Sequence, residues 1–199
     1  MFSRNRLSAI SCGLISAIFL FSHSIAGASE IGDLSSRDRA DLLRSAGIDC
    51  GANGNGDCVA GNTERGDYYN VRVYGDCAKA AYFGRTNDKS TPLRKDVATT
   101  GTKGKTEGAL APNQLVCIRA AAQVGMHDTE YYVMALPMDY GPECKGGELC
   151  NKPAPLPTRY QTIMAKCRPD SIKGYLDCPQ GWVFAEDMEA YSNGLPGAQ

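Results

Sequence analysis

The chain has 199 residues, with 22 acidic against 21 basic side chains, 43% hydrophobic residues, 22 glycines and 9 cysteines. That profile excludes a collagen, a coiled coil or a disordered chain and fits one folded domain. A formal charge of −1 gives no electrostatic reason to expect nucleic acid or an anionic membrane as partner, since both require a concentrated positive field.

Residues 1–28 read as a secretory signal peptide. Arg4 and Arg6 precede an apolar run from Leu14 to Phe21, and Ala26-Gly27-Ala28 supplies the small-x-small site after which cleavage is expected. The run is shorter than the roughly 18 residues that span a bilayer, so no retained anchor is expected. Cys12 precedes the main apolar run and has Ala9 three residues before it, which does not fit a lipid-modified cysteine. Residues 29–199 read as a single disulfide-stabilised β-rich domain, periplasmic or secreted, with no membrane contact once the leader is removed.

Eight cysteines remain in that domain, and an even count in an exported chain points to bridges rather than to thiol chemistry. Spacing alone does not determine the connectivity. Pairing of neighbours is expected: Cys50 with Cys58, Cys77 with Cys117, Cys144 with Cys150, and Cys167 with Cys178. The first, third and fourth pairs enclose short segments that turn easily, and the second would tie one strand to another.

In chain order, Ser35 to Ala46 has an N-cap serine, an acid in the first turn at Asp38, and Leu42, Leu43 and Ala46 on one side. Gly47-Ile48 fits a C-terminal cap in which Ile48 folds back on the last turn. Residues 49–67 are dense in Gly, Asn and Asp and read as turns. Within them, Asn53, Asn55, Asp57, Val59, Gly61 and Glu64 fall at the ligand offsets of a twelve-residue calcium loop, although Asn53 and Cys58 stand where Asp and Gly are wanted. A plain bridged turn is the alternative, and no cofactor or metal is expected.

From Tyr68 the pattern changes to period two, with Tyr69, Val71 and Val73 on one face and Asn70, Arg72 and Tyr74 on the other. Gln114–Ala120, Thr129–Leu136, Tyr160–Cys167 and Gly181–Phe184 are further strand candidates, with a helical turn expected within Ala185–Tyr191. Two long connections interrupt the series. Arg85–Glu107 carries Arg94, Lys95, Lys103 and Lys105 and reads either as a solvated charge run or as a clamp for an acidic partner. Pro137–Pro157 contains five prolines with Cys144 and Cys150 and should be the stiffer of the two.

The inventory of reactive groups is short. His127 is the single histidine beyond the leader, so triads and His-rich metal sites have little to build on. A carboxylate pair among Glu130, Glu143, Glu148, Glu186, Asp187 and Glu189 would suffice for a secreted glycan hydrolase, but no spacing singles out a pair. The ten tyrosines carry a different message. Adjacent pairs such as Tyr68-Tyr69 and Tyr131-Tyr132 must point to opposite sheet faces, so one of each is available for binding. Tyr69, Tyr74 and Tyr132, with Arg94 and Lys95 of the basic connection, are the candidates for contact with a ligand.

Asn70-Val71-Arg72, the Ala111-Pro112-Asn113 turn before Leu115-Val116-Cys117-Ile118, then Tyr131-Tyr132-Val133 and Gly181-Trp182-Val183 together resemble the bacterial SH3-like barrel. The resemblance covers about a dozen residues, and Val73 stands where the family has a Ser-Gly-Pro turn. It implies a small partly closed barrel with an N-terminal helix and long disulfide-braced loops. It also implies a binding module for cell-wall peptides or proteins, with Trp182 and nearby tyrosines lining a groove; core packing is the alternative for Trp182. The expectation is an exported non-enzymatic binding protein for a partner protein or a cell-wall peptide or glycan, of inhibitor, immunity or wall-targeting type. A secreted hydrolase and a calcium-stabilised structural protein are the alternatives.

Overall fold

The structure, a computed structural model, describes residues 34–50, 58–65, 67–75, 77, 82–99, 103–125, 128–137, 158–170 and 174–191. The leader, His127, Glu143, Glu148, the Cys144–Cys150 pair and the Asn53–Asp57 half of the calcium loop lie outside the described residues.

Helix α1 (Ser36–Ser45) begins where its cap predicts. Ser35 Oγ accepts from the Asp38 amide at 3.2 Å and donates to the Asp38 carboxylate at 2.6 Å. It ends at Gly47, whose φ of 71° is cheap only for glycine, and the Ile48 amide then donates back to the Leu43 carbonyl at 2.9 Å. Leu42, Leu43, Ala46 and Ile48 are buried on one side, and each of the leucines contributes about 1.5–3 kcal/mol by leaving water.

Eleven strands are described: β1 (Cys58–Asn62), β2 (Asp67–Val73), β3 (Tyr82–Thr86), β4 (Thr91–Arg94), β5 (Thr106–Leu110), β6 (Leu115–Val124), β7 (Asp128–Ala135), β8 (Arg168–Asp170), β9 (Gly174–Leu176), β10 (Gln180–Phe184) and β11 (Met188–Tyr191). All pairings are antiparallel, and the main path runs β1-β2-β6-β7-β10-β4-β5. Strand β6 is long enough to hold two partners on one edge. Its second half pairs with β2, from Tyr69↔Val124 to Val73↔Ala120, and its first half pairs with β3, from Tyr82↔Ile118 to Arg85↔Leu115. The changeover falls at Arg119, where the ladder with β7 shifts register between Ile118 and Ala120, and the local twist of such a bulge lets the sheet fork. Strand β11 lies outside β3, so closely that a side chain at Gly84 would meet Met188 and the Glu189 carbonyl.

No pairing among the described strands closes this sheet into a barrel. The protein is a mainly β, antiparallel fold with a short N-terminal helix and three described disulfides, Cys50–Cys58, Cys77–Cys117 and Cys167–Cys178. These are three of the four neighbour pairings expected from the sequence. Such bridges are the product of an oxidising compartment outside the cytosol. No described helix is long and apolar enough to cross a membrane.

Several segments depart from their sequence expectations. Tyr160–Cys167 reads as a strand, but helix α2 (Thr158–Met164) occupies most of it; Tyr160 and Met164, four residues apart, pack into one cluster with Ala111, which is helical spacing. Arg85–Glu107 is not one continuous loop: it holds the end of β3, all of β4 and the start of β5, and β4 pairs with β5 antiparallel, with a hydrogen bond from the Lys95 amide to the Lys105 carbonyl at 2.8 Å beyond the ladder. The calcium loop fails in its described half. Val59 and Gly61 sit in an antiparallel ladder opposite Asn70 and Tyr68, so their backbone is extended rather than wrapped around an ion. In Ala185–Tyr191 the helical turn is confined to Ala185–Asp187, and β11 takes the rest.

Candidate functional site

The helix decides which side of the sheet is free. Two indole and phenol groups of the core reach the end of α1, where carbonyls lack partners within the helix: Trp182 Nε1 donates to the Ala46 carbonyl at 2.7 Å and the Tyr132 hydroxyl to the Ser45 carbonyl at 3.1 Å. Their rings lie 5.3 Å apart, centroid to centroid, among Leu42, Leu43, Tyr69 and Val71. The other face of the sheet is covered only in part. Leu93 and Leu110 of the β4–β5 hairpin, with Met188 of β11, pack on Val116, Ile118 and Val133, and the half-buried Tyr74 and Tyr131 lie against the margin of that cluster.

Among the described residues, no element packs over the outward face of β1, β2, the second half of β6 and the first half of β7, whose side chains range from half-buried to exposed. Register places Asn70, Gln123 and Thr129 in one row, and Arg72, Ala121 and Tyr131 in the next. Tyr68 and Val59, about half exposed at 45% and 51%, continue the face toward the β1 edge. Tyr74 flanks the second row, its ring 4.2 Å from that of Tyr82. Asn70, Arg72, Tyr74, Gln123, Thr129 and Tyr131 border a shallow concavity of about 250 Å³. Among the described residues that line it none is a carboxylate, and they offer phenol rings, amides, a hydroxyl and one guanidinium.

The candidates named from the sequence separate sharply. Tyr74 borders the concavity and Lys95 is exposed on the β4–β5 hairpin, away from it. Tyr69 is buried, Tyr132 is 2% exposed and Trp182 is fully buried, so these three pack the core instead of facing a ligand. The pair rule holds while the members are exchanged: Tyr68 and Tyr131 face outward in place of Tyr69 and Tyr132. Alternation alone carries no sign, and the apolar Leu42-Leu43 side of α1 was the available clue to the covered face.

Arg94 is not a clamp. Its guanidinium, 4% exposed, meets Glu130, 1% exposed, at 2.8 Å, and lies 3.7 Å from the centre of the Phe184 ring. The Ala98 amide donates to the same carboxylate at 3.1 Å. Glu130 is thus committed to an internal ion pair and is no free acid or base. Glu189 pairs with Arg85 at 3.3 Å across β11 and β3, while Glu186 and Asp187 lie on the turn before β11.

Burial raises the hydroxyl pKa of both inward tyrosines above the ordinary value, aided at Tyr69 by Asp96, Glu130 and Asp67 and opposed at Tyr132 by its Ser45 hydrogen bond and by Arg119. Ionisation is therefore easier in the unfolded chain. Their contribution to stability is complete below about pH 10, the ordinary tyrosine value, and falls as pH rises through the raised native values. An alkaline titration followed by tyrosinate absorbance should show a late-ionising class that appears only with unfolding; every tyrosine ionising near the free value in the folded protein would contradict the burial.

Compared with known proteins, the chain matches no family model, no curated protein and no solved structure.

Proposed function

We propose that this is an exported, non-enzymatic binding protein that holds a cell-wall glycan on the open face of β1, β2, β6 and β7. The observation that carries the reading is the outward-facing row of Arg72, Ala121 and Tyr131 beside Asn70, Gln123 and Thr129, which borders the concavity. Phenol rings offer apolar surface to the C–H faces of sugar rings, and amides, hydroxyl and guanidinium offer donors and acceptors to sugar hydroxyls. The three described disulfides support an address outside the cytosol.

Size favours a few sugar units over a whole protein. Four strands about 4.8 Å apart, paired over about five residues at about 3.3 Å each, give a face of roughly 250 Å², well short of the area of about 800 Å² that each partner contributes to a standard protein interface. The resemblance to SH3-like domains supports the same ligand source, because Asn70 and Arg72 of its early strand are both on this face. A partly closed SH3-like arrangement would require strand contacts beyond the described pairings.

Co-sedimentation of the mature protein with insoluble cell-wall glycan tests the proposal. Tyr131→Ala and Tyr68→Ala should each weaken retention about tenfold or more, a loss of about 1.4 kcal/mol; the thermal midpoint should stay near that of the parent for the exposed Tyr68 and fall for Tyr131, whose ring also packs on the Val116–Ile118–Val133 cluster. Retention that survives both changes, or a parent protein that stays in the supernatant, would sink it.

A further inference from the structure

On the opposite side of the sheet, α1 and the β8–β9 hairpin enclose a second cleft of about 390 Å³ with an apolar floor that includes Leu42 and Met134. Its walls carry charges of both signs. Asp38, Asp41 and Ser45 line the helix side, Asp177 the hairpin side, and Arg119 and Gln180 the strands between them. Two backbone irregularities put charge there. Arg119 is the extra residue at the β6 bulge, freed from the inward–outward alternation of its neighbours, and its Nη1 donates to Gln180 Oε1 at 3.2 Å. Asp177 has a φ of 56°, a left-handed conformation that Asp adopts more readily than most residues.

The acids hold only exposed partners. Asp41 meets Arg44 at 3.0 Å and Asp177 meets Arg168 at 3.5 Å, both pairs well exposed, and Asp38 accepts a hydroxyl hydrogen bond from Ser35. Exposed pairs of this kind contribute about 0–1 kcal/mol, so they exchange for a better-placed ligand at little cost.

We infer that this cleft binds a small zwitterion of the amino-acid class, a free amino acid or a dipeptide. Its carboxylate lies on the Arg119 guanidinium, whose planar fork matches a carboxylate, and its ammonium lies against Asp38 and Asp41. The volume is within the range of about 300–1,000 Å³ typical of small-molecule pockets. A simple anion meets three carboxylates and a simple cation meets Arg119, whereas a molecule that carries both charges satisfies both. The site is on the far side of the sheet from the proposed glycan face and does not depend on it.

Calorimetric titration of the mature protein with free amino acids and Ala-X dipeptides tests the inference. At least one member of the panel should bind saturably at millimolar concentration or below. Its N-acetyl and C-amide forms should each bind at least tenfold more weakly, two arms that need no variant. Arg119→Gln should abolish the penalty for amidation, and the double change Asp38→Asn with Asp41→Asn the penalty for N-acetylation, with far-ultraviolet dichroism checking that the fold persists. Blocked and free forms binding equally, or no saturable binding by any member, would overturn it.

Discussion

Glu130→Gln should cost about 3–5 kcal/mol of folding stability, the range for removing one partner of a buried ion pair and stranding the other. The side-chain shape is kept, so the loss isolates the charge. Arg94 would stay within the protein at 4% exposure with only the Phe184 ring and a neutral amide for company. The consequence is also local, because β4 pairs with β10 through Trp182↔Arg94 alone. The Glu130 carboxylate is what fastens the β4–β5 hairpin, through Arg94 and the Ala98 amide, to β7. Urea unfolding should show the large drop in midpoint, and hydrogen exchange should show the amides of 91–99 losing protection first. The paired replacement Arg94→Leu with Glu130→Leu should lose less than Glu130→Gln, since no lone charge is left behind. A Glu130→Gln protein within about 1 kcal/mol of the parent, the scale of an ordinary neutral hydrogen bond, would show that the carboxylate charge is not what fastens the hairpin.

The second large effect belongs to the Cys77–Cys117 bridge. It closes a separation of 40 residues, against 8 for Cys50–Cys58, and the chain-entropy relation gives about 4 kcal/mol for the former and about 2.5 kcal/mol for the latter. Burial adds to the difference, because both Cys77 and Cys117 are 1% exposed and pack with Phe83, Leu115, Met134 and Leu136. Their replacement by alanine leaves a void as well as a longer free loop. The bridge also anchors the connection between β2 and β3, the two strands that share one edge of β6. Paired alanine variants at the two bridges, compared by thermal unfolding, should fall in that order. Equal midpoints, or the reverse order, would show that the denatured chain is not where the bridge acts.

Much of the local structure was legible because local physics governs it. Ser35, Asp38, Gly47 and Ile48 announce both ends of α1 through groups no more than five residues apart. The alternation Tyr69, Val71, Val73 against Asn70, Arg72 gave the two faces of β2 correctly. Neighbour pairing of the cysteines succeeded for the three described bridges because short or hairpin-like segments bring their ends together most easily. The misreadings arose where partners distant in the chain overrule the segment itself. Tyr160 to Met164 is rich in residues acceptable to a strand, yet its contacts with Ala111 favour the helix. Arg94 looks like a surface charge in a basic stretch and becomes internal because Glu130, 36 residues later, is there to neutralise it.

The tyrosines mark the boundary most clearly. From the order of residues it follows that Tyr68 opposes Tyr69 and Tyr131 opposes Tyr132, since a strand's side chains alternate whatever surrounds it. Which member meets water depends on where α1 docks, and that docking is decided by Trp182 and Tyr132 reaching the Ala46 and Ser45 carbonyls from strands more than 80 residues away. Alternation is a property of one strand, whereas burial is a property of two surfaces meeting. The first can be read along a chain, and the second exists only once the chain has folded.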